Sequence, residues 1–239
     1  MITSLDNKKV KEWTKLHNKK YRENEYLILE EKMVNEAFSN GFLKTLIYVG
    51  TVPFEFETAY EVNQEVMDKI SKGEGKRYIG IGKPIEERLV LSSRILILED
   101  LQDPLNIGKC FENAYLFGFD TVILSENCAD IYNPKCIENA RGSLYKLNIC
   151  HKNIENLIKL LHDNGYGVYA TGLKAHSKEL YEVENIDKMA FILGNEGSGV
   201  KDTTFDLCDE VVKIDMHNID SLNVAMAGAI VMYRFNDVD

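Results

Sequence analysis

The chain of 239 residues is 45% hydrophobic and 28% charged, a composition with enough apolar residues for a sizeable core; it excludes disordered, collagen-like and disulfide-scaffold classes. Its N-terminus is polar and no run of about 18 apolar residues occurs, so neither a signal peptide nor a membrane span is expected. With 28 basic against 38 acidic side chains the net charge is −10, which by itself disfavours a nucleic-acid partner, because phosphate binding rests on Lys and Arg.

The distribution of charge changes that reading. Residues 8–22 hold Lys8, Lys9, Lys11, Lys15, Lys19, Lys20 and Arg22 against one acid, Glu12, so a basic N-terminal arm precedes an acidic body. The spacing of Lys8, Lys11, Lys15, Lys19 and Arg22 predicts a helix that carries them on one face, with Val10, Trp13 and Leu16 elsewhere. A short apolar stretch at Tyr26–Leu29 follows. The next helix carries Met33, Val34, Ala37 and Phe38 and stops at Asn40-Gly41. Leu46–Val49 and Tyr78–Ile81 are expected strands, with a helix over Val62–Ile70 between them. This small-scale alternation predicts an α/β domain over 1–81, and Gly82, Pro84, Ser92 and Ser93 mark a linker over 82–92.

The second domain, 93–239, has a stronger pattern. Ile95–Leu98 is continuously apolar, as a strand buried on both faces should be. Asp103–Asn106 is expected to be a turn, and a helix over Ile107–Phe117 ends at Gly118. Strands are predicted at Thr121–Leu124, Val168–Ala170, Ala190–Leu193 and Val211–Ile214, and helices at Ile154–His162 and Ser221–Phe235. Alternation of this kind predicts a parallel sheet with both faces covered. The five cysteines show neither a C-x-x-C pair nor metal spacing, so reduced thiols, a cytoplasmic location and no metal are expected.

Ligands of parallel sheets bind beyond the carboxyl ends of the strands, where three segments draw notice. Gly194-Asn195-Glu196-Gly197-Ser198-Gly199 concentrates glycine after a strand, which suits either close backbone approach to a ligand or a plain tight turn. It lacks the Walker and dinucleotide spacings, and a buried Glu196 would repel phosphate, so a neutral or cationic ligand fits better. In the segment after the Val211–Ile214 strand, Ser221 suits a helix N-cap, and Asn223 places an amide at the head of an apolar run that belongs in a core or a dimer interface. The remaining segment is Glu99–Gly108.

Together these segments resemble the SpoU/TrmH-type RNA 2′-O-ribose methyltransferases of the SPOUT superfamily. Asp103-Pro104, Asn106 and Gly108, followed by Phe117-Gly118, are similar to the family's first motif, continued by Tyr132-Asn133-Pro134-Lys135 and by Gly142, Leu144 and Tyr145. Leu193–Gly199 resembles the second motif. Ile214 and Met216 with Ser221–Ala225 resemble the third. The first domain resembles the family's ribosomal-protein-like substrate-binding domain through Ile2-Thr3-Ser4, Val10-Lys11, Leu16, Lys19–Arg22 and Val34, Glu36 and Ala37.

The resemblance implies a deep trefoil knot near the C-terminus, a homodimer, S-adenosylmethionine as cofactor and RNA as partner, rRNA ahead of tRNA. It assigns cofactor contacts to Gly194, Ile214 and Leu222, with Thr171 as a further one. It gives Asn106 and Glu196 the ordering of the site, and Ser221 and Asn223 the positioning of ribose or phosphate. In the family's first motif an arginine stands six residues after the asparagine and activates the ribose hydroxyl; here that position is Glu112. Three readings follow. Glu112 is itself the base; or a relocated cation, Arg141 in the continuation of the first motif, serves instead; or the chain is a catalytically silent or altered RNA-binding or ribosome-assembly factor of the same fold.

Overall fold

The computed structural model describes residues 1–22, 24–216 and 222–236. They form two compact units, residues 1–86 with 130–145 and residues 87–129 with 146–239.

In the first unit, helix α1 (Lys8–Lys15) starts where the Asn7 side chain accepts the Lys9 N–H. The unit continues through strand β1 (Tyr26–Ile28), α2 (Glu31–Ser39), β2 (Leu43–Tyr48), β3 (Ala59–Glu61), α3 (Gln64–Ser71) and β4 (Tyr78–Gly82). The strands pair in the order β1-β4-β2-β3, antiparallel except for β2 with β3. Val10, Trp13 and Leu16 bury against Ile47, Val66, Ile70 and Ile79. The basic helix expected over 8–22 is shorter than its spacing suggested. It ends at Lys15, and Lys19–Tyr21 form a separate 3₁₀ turn capped by Asn18. Arg22 is not on the exposed basic face. It is buried and donates to the carbonyls of Leu16 and His17, both at 2.6 Å, and to Asp130. Its guanidinium fork is used up on orphan carbonyls of the turn, which charge spacing cannot reveal.

In the second unit, β5 (Arg94–Leu98) leads into α4 (Pro104–Leu116) and β6 (Thr121–Leu124). Asp103-Pro104 is the start of α4 rather than a free turn, because Asp103 accepts the Leu105 N–H and Pro104 occupies the first turn, where its missing N–H costs nothing. The chain then makes an excursion into the first unit. There α5 (Pro134–Ala140) is flanked by Tyr132, stacked on Tyr26 at 4.5 Å, and by Tyr145, whose hydroxyl accepts from that of Tyr26 at 3.2 Å. A hydrophobic pattern does not say which core a segment joins, so the sequence reading kept 130–145 with its chain neighbours. The chain continues with β7 (Asn148–His151), α6 (Ile154–Asp163), β8 (Gly167–Thr171), β9 (Lys178–Glu179), β10 (Met189–Leu193), α7 (Asp202–Phe205), β11 (Glu210–Lys213) and α8 (Val224–Arg234).

The seven strands of this unit are all parallel, in the order β7-β6-β5-β10-β8-β11-β9. One face carries α6, whose Ile154, Leu157, Ile158 and Leu161 join Ile95, Ile97, Ile123 and Ile192. The other carries α8, which sits so close to β10 that a Cβ on Gly228 would come within 2.7 Å of Leu193 Cδ1. Phe191 stacks on Phe235 at 4.9 Å. The order puts β10 between β5 and β8, so the loops after β5, β8, β10 and β11 emerge side by side at the carboxyl edge.

Candidate active site

The loop after β10 is fixed by its own backbone. Asn195 and Gly199 bond to each other across it, and the Asn195 side chain accepts the N–H groups of Gly197 and Ser198. The Asn195 amide also donates to the carbonyl of Asp100 at 2.8 Å, tying this loop to the one after β5. Asp100 itself is in the left-handed region, φ 56°. Burial pushes its carboxyl up, but hydrogen bonds from Lys201 at 2.6 Å and from Ser125 outweigh that and leave it below the usual carboxylate range. A Cβ at Gly194 would collide with the backbone of Gly199 and Val200. Only glycine fits there.

Two adjoining cavities open at this edge. Thr171, Gly194, Ile214 and Leu222 all line the first, of about 320 Å³, with Glu196, Val212, Val224 and Ala227. The second, about 660 Å³, is lined by Gln102, Asp103, Pro104, Asn106 and Asn223 and shares Glu196, Leu222 and Val224 with the first. A hydrogen-bonded chain joins them. Asn223 Nδ2 donates to Asn106 Oδ1 at 2.9 Å, and Asn106 Nδ2 donates to Glu196 Oε1 at 3.1 Å. The backbone N–H groups of Gln102 and Asp103 also donate to Glu196, each at 3.2 Å. Asn106 is buried with both ends of its amide satisfied, which fixes its orientation.

Two expectations need correction. Glu196 is not a buried acid; it stands exposed between the two cavities. And α8 starts at Val224, not Ser221. Its N-cap is Asn223, whose Oδ1 accepts the N–H of Ala225 at 3.0 Å, while its Nδ2 reaches Asn106. One amide thus caps the helix and orders the site. Ser221 lies outside the described residues.

Lys109, Glu112 and Arg141 are not among the residues lining either cavity. Glu112 is half-buried on α4, and Lys109 Nζ donates to it at 3.0 Å. Lys109 escaped the sequence reading, although its i,i+3 spacing to Glu112 on a helix was the signal for it. Arg141 follows α5 in the first unit, exposed and in the left-handed region at φ 49°. Also missed was Glu99, buried at the end of β5. It accepts the N–H of Lys201 and the Thr204 hydroxyl, and so anchors the chain beyond Gly199.

Partial desolvation pushes the Glu196 carboxyl up, but the hydrogen bonds from Asn106 and the backbone N–H groups hold it below the ordinary glutamate range. A depressed pKa stabilises the fold above the unfolded value, and that contribution is lost as pH falls through the folded one. The melting temperature of wild type should therefore exceed that of Glu196→Gln at pH 6–8, and the difference should shrink as pH falls below the ordinary glutamate range of about 4.3 and through the lower folded value. Thermal melts of both proteins across this range check it.

The fold and this site define a methyltransferase class, and comparison with known proteins identifies it. The SpoU rRNA methylase family model matches residues 93–233, and a model of the MRM3-like substrate binding domain matches residues 7–76. The chain is 31% identical, over 98% of both chains, to the 23S rRNA (guanosine(2553)-2′-O)-methyltransferase RlmP of Bacillus subtilis. It is 30% identical to the 23S rRNA (guanosine-2′-O-)-methyltransferase RlmB of Xanthomonas campestris over 59% of this chain and 57% of that one. The AdoMet-bound rRNA methyltransferase of Sinorhizobium meliloti shares the fold with a TM-score of 0.85 at 25% identity, covering 98% of this chain and 95% of that one. The chain belongs to the SpoU rRNA methylase family and is an S-adenosylmethionine-dependent RNA methyltransferase.

Proposed function

We propose that the protein methylates a ribose 2′-hydroxyl of large-subunit rRNA, on a guanosine as in the B. subtilis relative. The observation that carries this reading is the Asn223–Asn106–Glu196 chain joining two adjoining cavities, one for a methyl donor and one for a nucleotide. The glycine backbone at 194, with Thr171, Ile214 and Leu222, suits S-adenosylmethionine, since a cleft where a Cβ cannot fit at Gly194 lets a ligand meet main chain directly. The bound donor supplies a sulfonium methyl group for in-line transfer. Glu196, held as an anion between the two cavities, favours that positive charge, and Asn106 fixes Glu196. Asn223, with Ser221, positions the ribose or its phosphate. Lys109 lines neither cavity but lies three residues after Asn106 on α4, paired with Glu112, and on that placement it takes the part of the family's arginine in stabilising the forming alkoxide. Arg141 is assigned to RNA backbone. Transfer of labelled methyl to 23S rRNA, with 16S rRNA as control, tests the reading.

The segment 1–81, which makes up most of the first unit, is the RNA-binding domain of this reading, joined through 82–92 to a methyltransferase domain over 93–239 from which 130–145 depart to the first unit. The exposed lysines of α1 and of the following 3₁₀ turn support this, because their counterions are released on phosphate binding. Replacing Lys11, Lys15 and Lys19 by Glu should weaken RNA binding at least 10-fold and flatten its salt dependence; binding isotherms from 50 to 300 mM KCl, on the order of a Debye-length change of two, check both.

The knot of such domains is carried into this chain, and the crossing of β10 between β5 and β8 supports it. The free state of all five cysteines supports a cytoplasmic location. The protein works as a homodimer. Met226, Ile230 and Tyr233 recur along one face of α8 at 57%, 39% and 68% exposure, while Ala225, Gly228 and Met232 face inward. Leu105, Tyr115 and Leu116 of the adjoining α4 are exposed as well. An apolar surface of this extent suits a partner subunit. Ile230→Lys combined with Tyr233→Glu should convert a dimer to a monomer in light scattering at micromolar concentration; a wild-type monomer would contradict the assignment.

A further inference from the structure

Tyr21 is the exposed aromatic of the basic segment, 44% accessible at the end of the 3₁₀ turn. Lys20 Nζ stands 4.8 Å from the ring centroid and Lys15 Nζ 5.7 Å. Arg22, the next residue, is buried and bonded to the carbonyls of Leu16 and His17 and to Asp130, so the backbone beneath Tyr21 is pinned. The neighbouring Tyr60 contrasts with it: that ring is half-buried and packs on Trp13 at 5.5 Å. Among the described residues Tyr21 packs on no aromatic ring, and Lys15 and Lys20 lie near its face.

We propose that Tyr21 is a stacking platform for one unpaired base of the RNA, with Lys15 and Lys20 taking the flanking phosphates. This rests on the reading of the first unit as RNA-binding and deepens it to a site and a nucleotide state. An exposed ring with two ammonium groups near its face meets both needs of a nucleotide. The ring offers a π-face to the base, and each lysine, on a flexible four-carbon stem, swings from the ring to a phosphate as the base arrives. Bases inside an RNA helix are stacked already, so the site selects a loop, bulge or single strand. Such stacking is tolerant of base identity, and so contributes affinity and orientation while leaving choice of the nucleotide to the catalytic unit.

The test uses the full-length protein and a 12-nucleotide oligoadenylate, with binding measured across KCl concentrations. Tyr21→Leu should weaken binding by about 5- to 100-fold with an unchanged salt slope, and Tyr21→Phe should stay within about 2-fold of wild type. Lys15→Gln with Lys20→Gln should lower the slope by about 1.4 units. In Tyr21→Trp the new emission should be quenched by the oligonucleotide, whereas buried Trp13 should not respond. If Tyr21→Leu binds like wild type while the lysine variant still loses slope, stacking is overturned and RNA binding by this unit stands. If wild type ignores the oligoadenylate but methylates rRNA, the platform is overturned and the enzyme reading stands. Displacement of the RNA by polyglutamate, lost in Tyr21→Leu, would instead mark a protein-docking surface and overturn the proposal.

Discussion

Gly194→Ala should weaken S-adenosylmethionine binding at least about 100-fold, and methyl transfer with it. The added methyl group would occupy the space of the Gly199 carbonyl and the Val200 nitrogen, so the 194–200 loop would have to open. Backbone does not yield as a flexible side chain does, and overpacking of this kind costs about 1–3 kcal/mol even where side chains can move. Opening the loop would part the Asn195–Gly199 bridge and withdraw Glu196 from Asn106. Gly197→Ala is the control: its Cβ would meet only Asn195 Oδ1 at 3.5 Å, an ordinary contact, and its effect should be within about 3-fold. Isothermal titration of both variants, with melting temperatures, separates lost binding from lost folding.

The order of effects at the Lys109–Glu112 pair should be as distinctive. Lys109→Gln should lower methyl transfer about 100-fold, the usual scale for removing a charge that stabilises a forming anion. Glu112→Gln should cost about 10-fold, since it frees the ammonium without deleting it. Lys109→Gln combined with Glu112→Arg should recover most of the activity, because it returns a cation to the position where the family carries its arginine. Cofactor affinity should hold in all three, as the donor cleft is lined from other segments. If Glu112→Gln proves the more damaging change, the carboxylate is the base and Lys109 its support. Single-turnover rates on rRNA distinguish the two.

The parts of this fold legible in the sequence were those with one dominant cause. β5, β6, β8 and β10 lie within a residue or two of the expected runs because strands buried on both faces are continuously apolar. β3, β7, β9, α5 and α7 were not foreseen. They are two to seven residues long, and their half-polar patterns carry no clear period. The overlong basic helix has a specific reason: Lys spacing is blind to Arg22 turning inward to satisfy carbonyls. Motif spacing brought Asn106, Glu196 and Asn223 forward, but not their bonding as a chain, and not the double service of Asn223 as helix cap and site ligand. Sequence alone reads Glu196, set between glycines, as a buried acid. The structure leaves it exposed because the glycines shape a loop at the sheet edge rather than a core turn.

The central claim is ribose methylation of large-subunit rRNA, and mass spectrometry of nucleosides from cells with and without the gene tests it most directly. The account predicts that 23S rRNA from the deletion strain lacks one 2′-O-methylguanosine, and that a plasmid copy restores it while the Gly194→Ala copy does not. An unchanged set of ribose-methylated nucleosides in the 23S rRNA of the deletion strain would contradict it.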